Sequence, residues 1–210
     1  LGRREYSYFN FLRWVGRSII PGYRETYKKA AHILAGSSYT LSLIKELFPK
    51  IQDEKIELFY ENGITSSFVR SDDDVTQNKI PTEASVDNKV KLLYVGRLVP
   101  YKGADMLLDA IGRLDGSVRE KIHLTIVGNG SEETSLENQV KRLELDEHVH
   151  FTGYIEQYQT LEYYRQSDIF CFPSVREFGG AVVLEAMANA LPCIVVDNGG
   201  IGEYVTNKTG

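Results

Sequence analysis

Residues 168–200 read DIFCFPSVREFGGAVVLEAMANALPCIVVDNGG, and this stretch decides the fold. Apolar, strand-like runs at 168–172 and 193–196 enclose a segment whose apolar residues recur at helical spacing. Gly179 and Gly180 stand directly before this helical segment, and further glycines follow the second strand. The pattern predicts a strand, a glycine loop, a helix, a second strand and a second glycine loop.

The first glycine loop is a candidate site for an anion. A helix that begins at glycines after a strand presents free backbone N–H groups and the positive end of its dipole, where a phosphate can sit. Glu177 lies in the loop, and Glu185 falls in the second turn of the predicted helix. A phosphate would repel both carboxylates, so we expect them to accept hydrogen bonds from sugar or ribose hydroxyls. The alternative is a solvated loop acid at 177 and an exposed helix residue at 185.

These residues resemble the donor-binding signature of the retaining group 1 family of nucleotide-sugar glycosyltransferases. That family usually has Glu-Gly-Phe-Gly in the loop, whereas residues 177–180 read EFGG, with the same spacing to Glu185. Gly199, Gly200 and Glu203 continue the signature. The resemblance implies an α/β fold of the GT-B type, with a Rossmann-like parallel sheet flanked by helices and a fragment of a second Rossmann-like domain.

Composition and charge exclude several classes of protein. The chain is 42% hydrophobic and 25% charged, as in an ordinary globular protein and unlike a disordered, collagen-like or coiled-coil chain. A net charge of -5 argues against a general nucleic-acid binder, so a phosphate ligand needs a local basic cluster. Cys171 and Cys193 lie in apolar runs and are predicted to be buried free thiols of a reducing compartment. No run approaches the roughly 20 apolar residues of a membrane helix. Because the thiols indicate a reducing compartment, we expect a cytoplasmic protein.

Residues 90–210 alternate between strand-like and helical patterns. The predicted strands are 91–95, 122–127, 149–151, 168–172 and 193–196, and the predicted helices lie near 104–114, 132–145, 160–166, 180–190 and 201–206. Short apolar strands separated by helices indicate a parallel sheet that is covered on both faces. The ligand of such a sheet binds at the carboxyl ends of the strands.

The first part of the chain has fewer elements. A helix near 22–30, a strand at 32–35 and a second helix at 39–48 are predicted, with Ser37 as N-cap and Pro49 as the stop. A strand-like run at 55–60 ends at the turn dipeptide Asn62-Gly63. The resemblance places 1–64 as the C-terminal part of an acceptor-side domain, 65–89 as a linker or polar loop, and 90–210 as a donor-binding domain that is truncated at its C-terminus.

Three other features have competing interpretations. Residues 1–25 interleave aromatic and arginine residues, which suits peripheral contact with the inner face of a membrane, an anionic acceptor, or an amphipathic helix packed on its domain. The acidic run 72–74 has the Asp-x-Asp pattern of a metal motif, but it lies in a polar, turn-rich stretch, so we predict no metal site. The four histidines lack metal-ligand spacing and are predicted to be structural: His32, His123, His148 and His150.

The first strand of the predicted donor domain ends in a pair of cations. Gly96 and Arg97 follow the strand, and Lys102 stands five residues further on, before Gly103. An arginine fork and a lysine point charge at one strand end suit a diphosphate. The alternative is a pair of surface cations. The sequence VGRL followed by KG resembles the family's diphosphate-binding pair, which implies that both cations offset charge on the leaving nucleoside diphosphate.

The second strand ends in GNGS at 128–131, which begins like a dinucleotide fingerprint. Glu133 occupies the third glycine position, where a Rossmann NAD site needs Gly or Ala, so the oxidoreductase interpretation is weakened. Ser131 is the predicted N-cap of the next helix. The resemblance implies that Gly128 and Tyr154 lie near the nucleobase, and the alternative for Tyr154 is packing at the sheet edge.

The resemblance implies a complete set of roles. Arg97 and Lys102 bind the diphosphate, Glu177 and the backbone N–H groups of 178–180 bind the transferred sugar, and Glu185 binds the ribose. Glu177, Arg97 and Lys102 are the implied catalytic residues, and no metal or other cofactor is required. The full implied donor-binding set is Gly96, Arg97, Lys102, Gly128, Tyr154, Glu177, Phe178, Gly179, Gly180, Ala181 and Glu185.

The implied activity is transfer of a sugar, with retention, from a nucleoside-diphosphate sugar to a saccharide or lipid-linked acceptor. The architecture is longer than 210 residues, so we expect a fragment that is mainly the donor-binding part. Two alternatives remain: a sugar-nucleotide epimerase of the same architecture, and a catalytically inactive nucleotide-sugar-binding fragment. Serine-hydrolase and P-loop patterns do not occur in the sequence.

Overall fold

The computed structural model describes residues 22–60, 63–71, 89–177, 179–197 and 200–206. Contacts divide the chain into two compact units, with the boundary between Phe59 and Tyr60. Three predicted features lie outside the described residues. They are the aromatic and basic segment up to residue 21, the acidic run 72–74, and Asn62 of the predicted turn.

The first unit is a small α/β arrangement. Its elements are α1 (Tyr23–Lys29), β1 (Ile33–Ala35), α2 (Ser38–Leu47), a 3-10 turn (Asp53–Lys55) and β2 (Ile56–Leu58). The two strands pair in parallel, and the buried side chains of Ala35, Ile44 and Ile56 form the core. The predicted N-cap is confirmed, because the Ser37 hydroxyl accepts a hydrogen bond from the Thr40 N–H at 3.1 Å.

The second unit contains all five strands that the sequence predicted. Its elements are β3 (Val90–Val95), α3 (Ala104–Gly112), α4 (Gly116–Arg119), β4 (Ile122–Val127), α5 (Glu133–Arg142), β5 (Val149–Gly153), α6 (Gln157–Gln166), β6 (Ile169–Phe172), α7 (Ala181–Ala188) and β7 (Cys193–Val195). Four consecutive residues of β3, 92–95, are buried. This is the burial expected of a parallel strand covered on both faces, and it explains the continuous apolar pattern.

The order of the strands determines where a ligand can bind. The sheet is parallel, in the order β5-β4-β3-β6-β7. From β3 the chain proceeds to β4 and β5 on one side, and then crosses back to β6 and β7 on the other side. The loops after β3 and β6 therefore lie next to each other at the carboxyl edge, where parallel sheets of this kind bind their ligands.

Two predicted helix starts need correction. Helix α6 begins at Gln157, three residues before the predicted start at 160, because Glu156 and Gln159 form a reciprocal capping box. The prediction that Ser131 caps α5 is wrong. Glu132 is the N-cap and has no side-chain cap bond, while its N–H donates to the carbonyl of Leu98 at 2.9 Å. The loop after β3 therefore accepts a hydrogen bond from one of the N–H groups at the start of this helix.

The ends of the second unit differ in detail from the prediction. The final predicted helical stretch, 201–206, is a short 3-10 turn, Ile201–Glu203. Part of the polar stretch after residue 64 is packed, since Phe68 is buried in the core of the second unit. The Asn189 amide donates to the Phe68 carbonyl at 3.0 Å, and the Arg70 N–H donates to the Ala188 carbonyl at 2.9 Å. Residues 66–70 are thereby tied to the end of α7.

The two cysteines are buried and free, as predicted from their apolar surroundings. Cys171 lies in β6 and Cys193 lies in β7. Burial raises the pKa of each thiol to about 12, so both are protonated and unreactive at neutral pH. Within the described ranges, no helix has the length and apolar character needed to cross a membrane.

Candidate functional site

The loop after β3 brings its lysine to the loop after β6. A 3-10 turn, Pro100–Lys102, leads to Gly103, whose φ of 74° is in the left-handed region. A Cβ at Gly103 would lie 2.2 Å from the carbonyl oxygen of Pro173, so only glycine fits at this position. The glycine that follows Lys102 is therefore what allows the two loops to pack closely.

Lys102 and Glu177 form an ion pair across these two loops. Each side chain is only 15% exposed, and the ammonium also lies 5.1 Å from the ring centroid of Phe172. A charge with so little access to water needs a partner, and each residue is the partner of the other. The alternatives of a surface cation at 102 and a solvated acid at 177 are therefore wrong.

Hydrogen bonds between the same two loops, and one within the loop after β3, hold them in place. The Val175 N–H donates to the Tyr101 carbonyl at 2.9 Å, and the buried Ser174 hydroxyl donates to the same carbonyl at 3.3 Å. The Tyr94 hydroxyl donates to the carbonyl of Arg97 at 3.4 Å. Burial raises the pKa of Tyr94, so this donor stays protonated. The carboxyl edge is thus preorganised around the ion pair.

Arg97 differs from Lys102 in its surroundings. Its side chain is exposed, and a guanidinium N–H donates to the hydroxyl of Tyr101 at 2.9 Å. A guanidinium has five N–H donors, so this bond leaves others available for an anion. The structure therefore places one exposed cation, Arg97, and one nearly enclosed cation, Lys102, in the same loop.

The glycine loop begins α7 as the sequence predicted. Gly180 has a φ of 58° and is the N-cap of the helix, and Gly179 is buried beside it. Ala181, the first helical residue, is exposed. Phe178 lies outside the described residues. The N–H groups of the first turn of α7 therefore begin at the carboxyl edge, which is the geometry required for an anion cradle.

Glu185 is buried, so its interpretation as an exposed helix residue is wrong. Its Oε2 accepts a hydrogen bond from the hydroxyl of Tyr164 at 2.9 Å, and its Oε1 accepts one from the amide of Gln157 at 2.9 Å. Sequence reasoning missed both partners. A signal existed, because residues seven apart in a helix lie two turns apart on one face, and Gln157 and Tyr164 have this spacing in α6.

The glycines after β4 have a packing explanation. Gly128 has a φ of 127°, and a Cβ there would lie 2.0 Å from the carbonyl oxygen of Gly96. A Cβ at Gly130 would lie 2.2 Å from the carbonyl oxygen of Leu98. Both glycines therefore allow the loops after β3 and β4 to touch. The structure thus brings Gly96 and Gly128 together at this edge.

Tyr154 follows β5 at the same edge and is 64% exposed. An aromatic ring with this exposure contributes little to the core. The residue is therefore accessible to solvent at this edge.

Two of the histidines have polar neighbours among the described residues. His32 contacts the carboxylate of Glu57 at 3.1 Å, and a ring nitrogen of His148 lies 3.3 Å from the carbonyl oxygen of Ile122. Desolvation lowers the pKa of His123, with a further contribution from Lys89. In the part of the chain that the structure describes, no group of three or more metal-ligating side chains is found.

A family model described as glycosyl transferases group 1 matches residues 75–210. This match covers more than half of the chain and includes the ion pair, the glycine loop and Glu185. The chain therefore belongs to the group 1 glycosyltransferase family, as its motifs predicted.

Curated relatives are similar over part of their length. Mannosylfructose-phosphate synthase from Agrobacterium fabrum is 33% identical over 135 residues, which cover 61% of this chain and 30% of that protein. A GDP-mannose-dependent monoacylated alpha-(1-6)-phosphatidylinositol monomannoside mannosyltransferase from Corynebacterium glutamicum is 30% identical over 210 residues, which cover 93% of this chain and 53% of that protein. The chain thus spans about half or less of the length of these relatives.

Solved structures share the fold. HepE from Anabaena in complex with UDP superimposes with a TM-score of 0.69 at 22% identity, covering 87% of this chain and 49% of that one. WaaG, a glycosyltransferase involved in lipopolysaccharide biosynthesis, also has a TM-score of 0.69, at 20% identity, covering 91% of this chain and 53% of that one. The predicted fold class, a GT-B-type Rossmann-like sheet with part of a second such domain, is confirmed.

Proposed function

We propose that this chain is mainly the donor-binding part of a retaining glycosyltransferase, which transfers a sugar from a nucleoside-diphosphate sugar to a saccharide or lipid-linked acceptor. One observation carries the proposal. Lys102, Glu177 and the start of α7 come from the two sides of the point where the strand order reverses, and they meet at the carboxyl edge. Family membership and the UDP in the HepE structure support the choice of donor.

The diphosphate binds where cations and helix N–H groups converge. Arg97 supplies an exposed guanidinium with spare donors, and Lys102 supplies an ammonium that is already desolvated. A charge in such a site acts more strongly on a developing anion than it would in water. Both cations therefore stabilise the nucleoside diphosphate as it leaves, without a metal ion.

Arrival of the donor changes the partner of Lys102. In this structure the ammonium is paired with Glu177, and a diphosphate carries more negative charge than one carboxylate. The ammonium moves to the phosphate, and the Glu177 carboxylate becomes free to accept a hydrogen bond from a hydroxyl of the transferred sugar. For retention, we propose that the leaving phosphate takes the acceptor proton, as suggested for the family that the chain resembles.

The remaining contacts bind the nucleoside. Glu185 accepts hydrogen bonds from the ribose, and Tyr154 and the loop at Gly128 lie near the base. The acceptor site requires further parts of the protein, since the chain spans about half of the related structures. We therefore expect the 210-residue chain alone to bind donor without transferring sugar. The cytoplasmic location, contact with the inner face of a membrane and the domain boundaries at 64 and 89 remain predictions.

The test is calorimetric titration of the chain with UDP, GDP, ADP and NAD. We expect one nucleoside diphosphate to bind, and Lys102→Ala to weaken it by about tenfold or more, since hydrogen bonds to charged groups are worth about 1.5–3 kcal/mol. Lys141→Ala is the matched control, because Lys141 is an exposed lysine of α5. Unchanged affinity in Lys102→Ala contradicts the diphosphate assignment, and binding of NAD alone contradicts the choice of donor.

A further inference from the structure

Two residues of α6 hold the carboxylate of Glu185, and they differ in burial. Tyr164 is 0% exposed and donates its hydroxyl to Oε2 at 2.9 Å. Gln157, at the exposed start of the helix, donates its amide to Oε1 at 2.9 Å. The inner oxygen of the carboxylate thus faces the protein core, and the outer oxygen faces the end of α6 beside the carboxyl edge of the sheet.

Burial decides which of the two hydrogen bonds matters more. Water can replace an exposed donor such as the Gln157 amide, so its loss costs little. The Tyr164 ring packs against Phe170 with centroids 5.7 Å apart, in a region from which water is excluded. Without the Tyr164 hydroxyl, Oε2 of Glu185 is a buried acceptor with a missing donor, and the carboxylate is expected to turn away from its present orientation.

We propose that Tyr164 is a positioning residue for nucleoside recognition, which orients the Glu185 carboxylate to accept hydrogen bonds from the ribose hydroxyls. The assignment rests on the proposed function, in which Glu185 binds the ribose. Tyr164 is enclosed and acts through Glu185 without touching the nucleoside. Burial and the neighbouring carboxylate raise the pKa of Tyr164 well above its ordinary value, so the hydroxyl remains a donor across the neutral range.

The experiment compares a nucleoside diphosphate with its 2′-deoxy and 3′-deoxy analogues by calorimetric titration of the 210-residue chain. We expect the wild type to bind the ribose form about tenfold more tightly than at least one deoxy analogue, the value of a hydrogen bond to a charged group. Tyr164→Phe should weaken binding of the ribose form by about tenfold and reduce the preference to about twofold or less. Affinity for the deoxy analogue should change little.

Two variants on the same helix serve as comparisons. Gln157→Ala should weaken binding of the ribose form by no more than about threefold, because water replaces the lost amide. Tyr163→Phe is the matched control, since it removes a hydroxyl from the neighbouring position of α6. It should keep both the affinity and the preference of the wild type.

Thermal melting establishes that each variant is folded. A folded Tyr164→Phe with the wild-type preference overturns the assignment. If that variant does not fold, Glu185→Asp replaces it: it keeps the charge but withdraws the carboxylate by one methylene, and a retained preference would again overturn the positioning role. A wild type that binds no nucleoside diphosphate overturns the proposed function and this role with it. A wild type that binds the ribose and deoxy forms equally overturns the ribose role alone and leaves the diphosphate site standing.

Discussion

The two carboxylates of the candidate site are held in opposite ways. Glu177 is paired with a cation, Lys102, whereas Glu185 is held by the neutral donors Tyr164 and Gln157. A cation can exchange one anion for another, so the first contact can break when a diphosphate arrives. A tyrosine hydroxyl and an amide do not attract a diphosphate in this way, so the second contact stays. The site therefore has two halves. In the charged half, Lys102 and Glu177, a ligand can replace one partner of the ion pair. In the fixed half, Glu185 with Tyr164 and Gln157, the hydrogen bonds stay in place.

The largest effect is expected on stability, when only one partner of the ion pair, Lys102, is removed. Lys102→Ala leaves the Glu177 carboxylate with little water and no cation, which should lower the free energy of unfolding by about 3 kcal/mol. The double variant Lys102→Ala, Glu177→Gln removes the unpaired charge and should regain most of this loss. Urea denaturation of both variants is the measurement. Equal losses in the single and double variants would contradict the view that the unpaired Glu177 charge causes the loss of stability.

A smaller and opposite effect is expected on ligand affinity when Glu177 is neutralised. Glu177→Gln removes the anion that competes with the diphosphate for Lys102, so a nucleoside diphosphate should bind about tenfold more tightly. Binding of the complete sugar donor should gain less, because Gln replaces the proposed acceptor of the sugar hydroxyl. Calorimetric titration with both ligands tests this pattern.

Glu137→Gln is the control for that titration, since Glu137 is an exposed acid of α5. Its affinity for both ligands should equal that of the wild type. Weaker binding of the nucleoside diphosphate by Glu177→Gln would contradict the exchange of partners.

The smallest effect concerns the fixed half at alkaline pH. The pKa of Tyr164 is higher in the folded chain than the ordinary value of 10.0, so its contribution to stability is present below pH 10 and lost as the pH rises above it. As the pH rises from 10, Tyr164→Phe should lose less stability than the wild type, because it has no hydroxyl to titrate. Urea denaturation at each pH measures the difference, and equal losses would contradict the buried-donor description.

Much of the fold could be predicted from sequence because its signals are local. Continuous apolar runs marked all five strands of the second unit, and Ser37 marked the start of α2. Glycine loops, together with the rule for parallel sheets, indicated the carboxyl edge as the candidate site. The short helix α4, at Gly116–Arg119, lacks a periodic apolar face and was not predicted.

The partners of the site residues could not be predicted because they depend on tertiary contacts. Lys102 and Glu177 are 75 positions apart, and their pairing follows only from β3 and β6 being neighbours in the sheet. The surroundings of Glu185 include Gln157 and Tyr164 of α6, which the apolar pattern of α7 alone does not indicate. The wrong prediction of Ser131 as N-cap also involves a tertiary contact. At that helix start the Glu132 N–H donates a hydrogen bond to the Leu98 carbonyl.

The most direct test is a crystal structure of the chain with the nucleoside diphosphate identified by titration. We predict that the ligand lies at the carboxyl edge of the sheet, with the Lys102 ammonium bound to a phosphate oxygen and separated from Glu177. The Tyr164 hydroxyl should remain on Glu185, and the ribose should lie against the same carboxylate. A ligand bound away from this edge, or one bound with the Lys102 and Glu177 pair intact, would contradict the account.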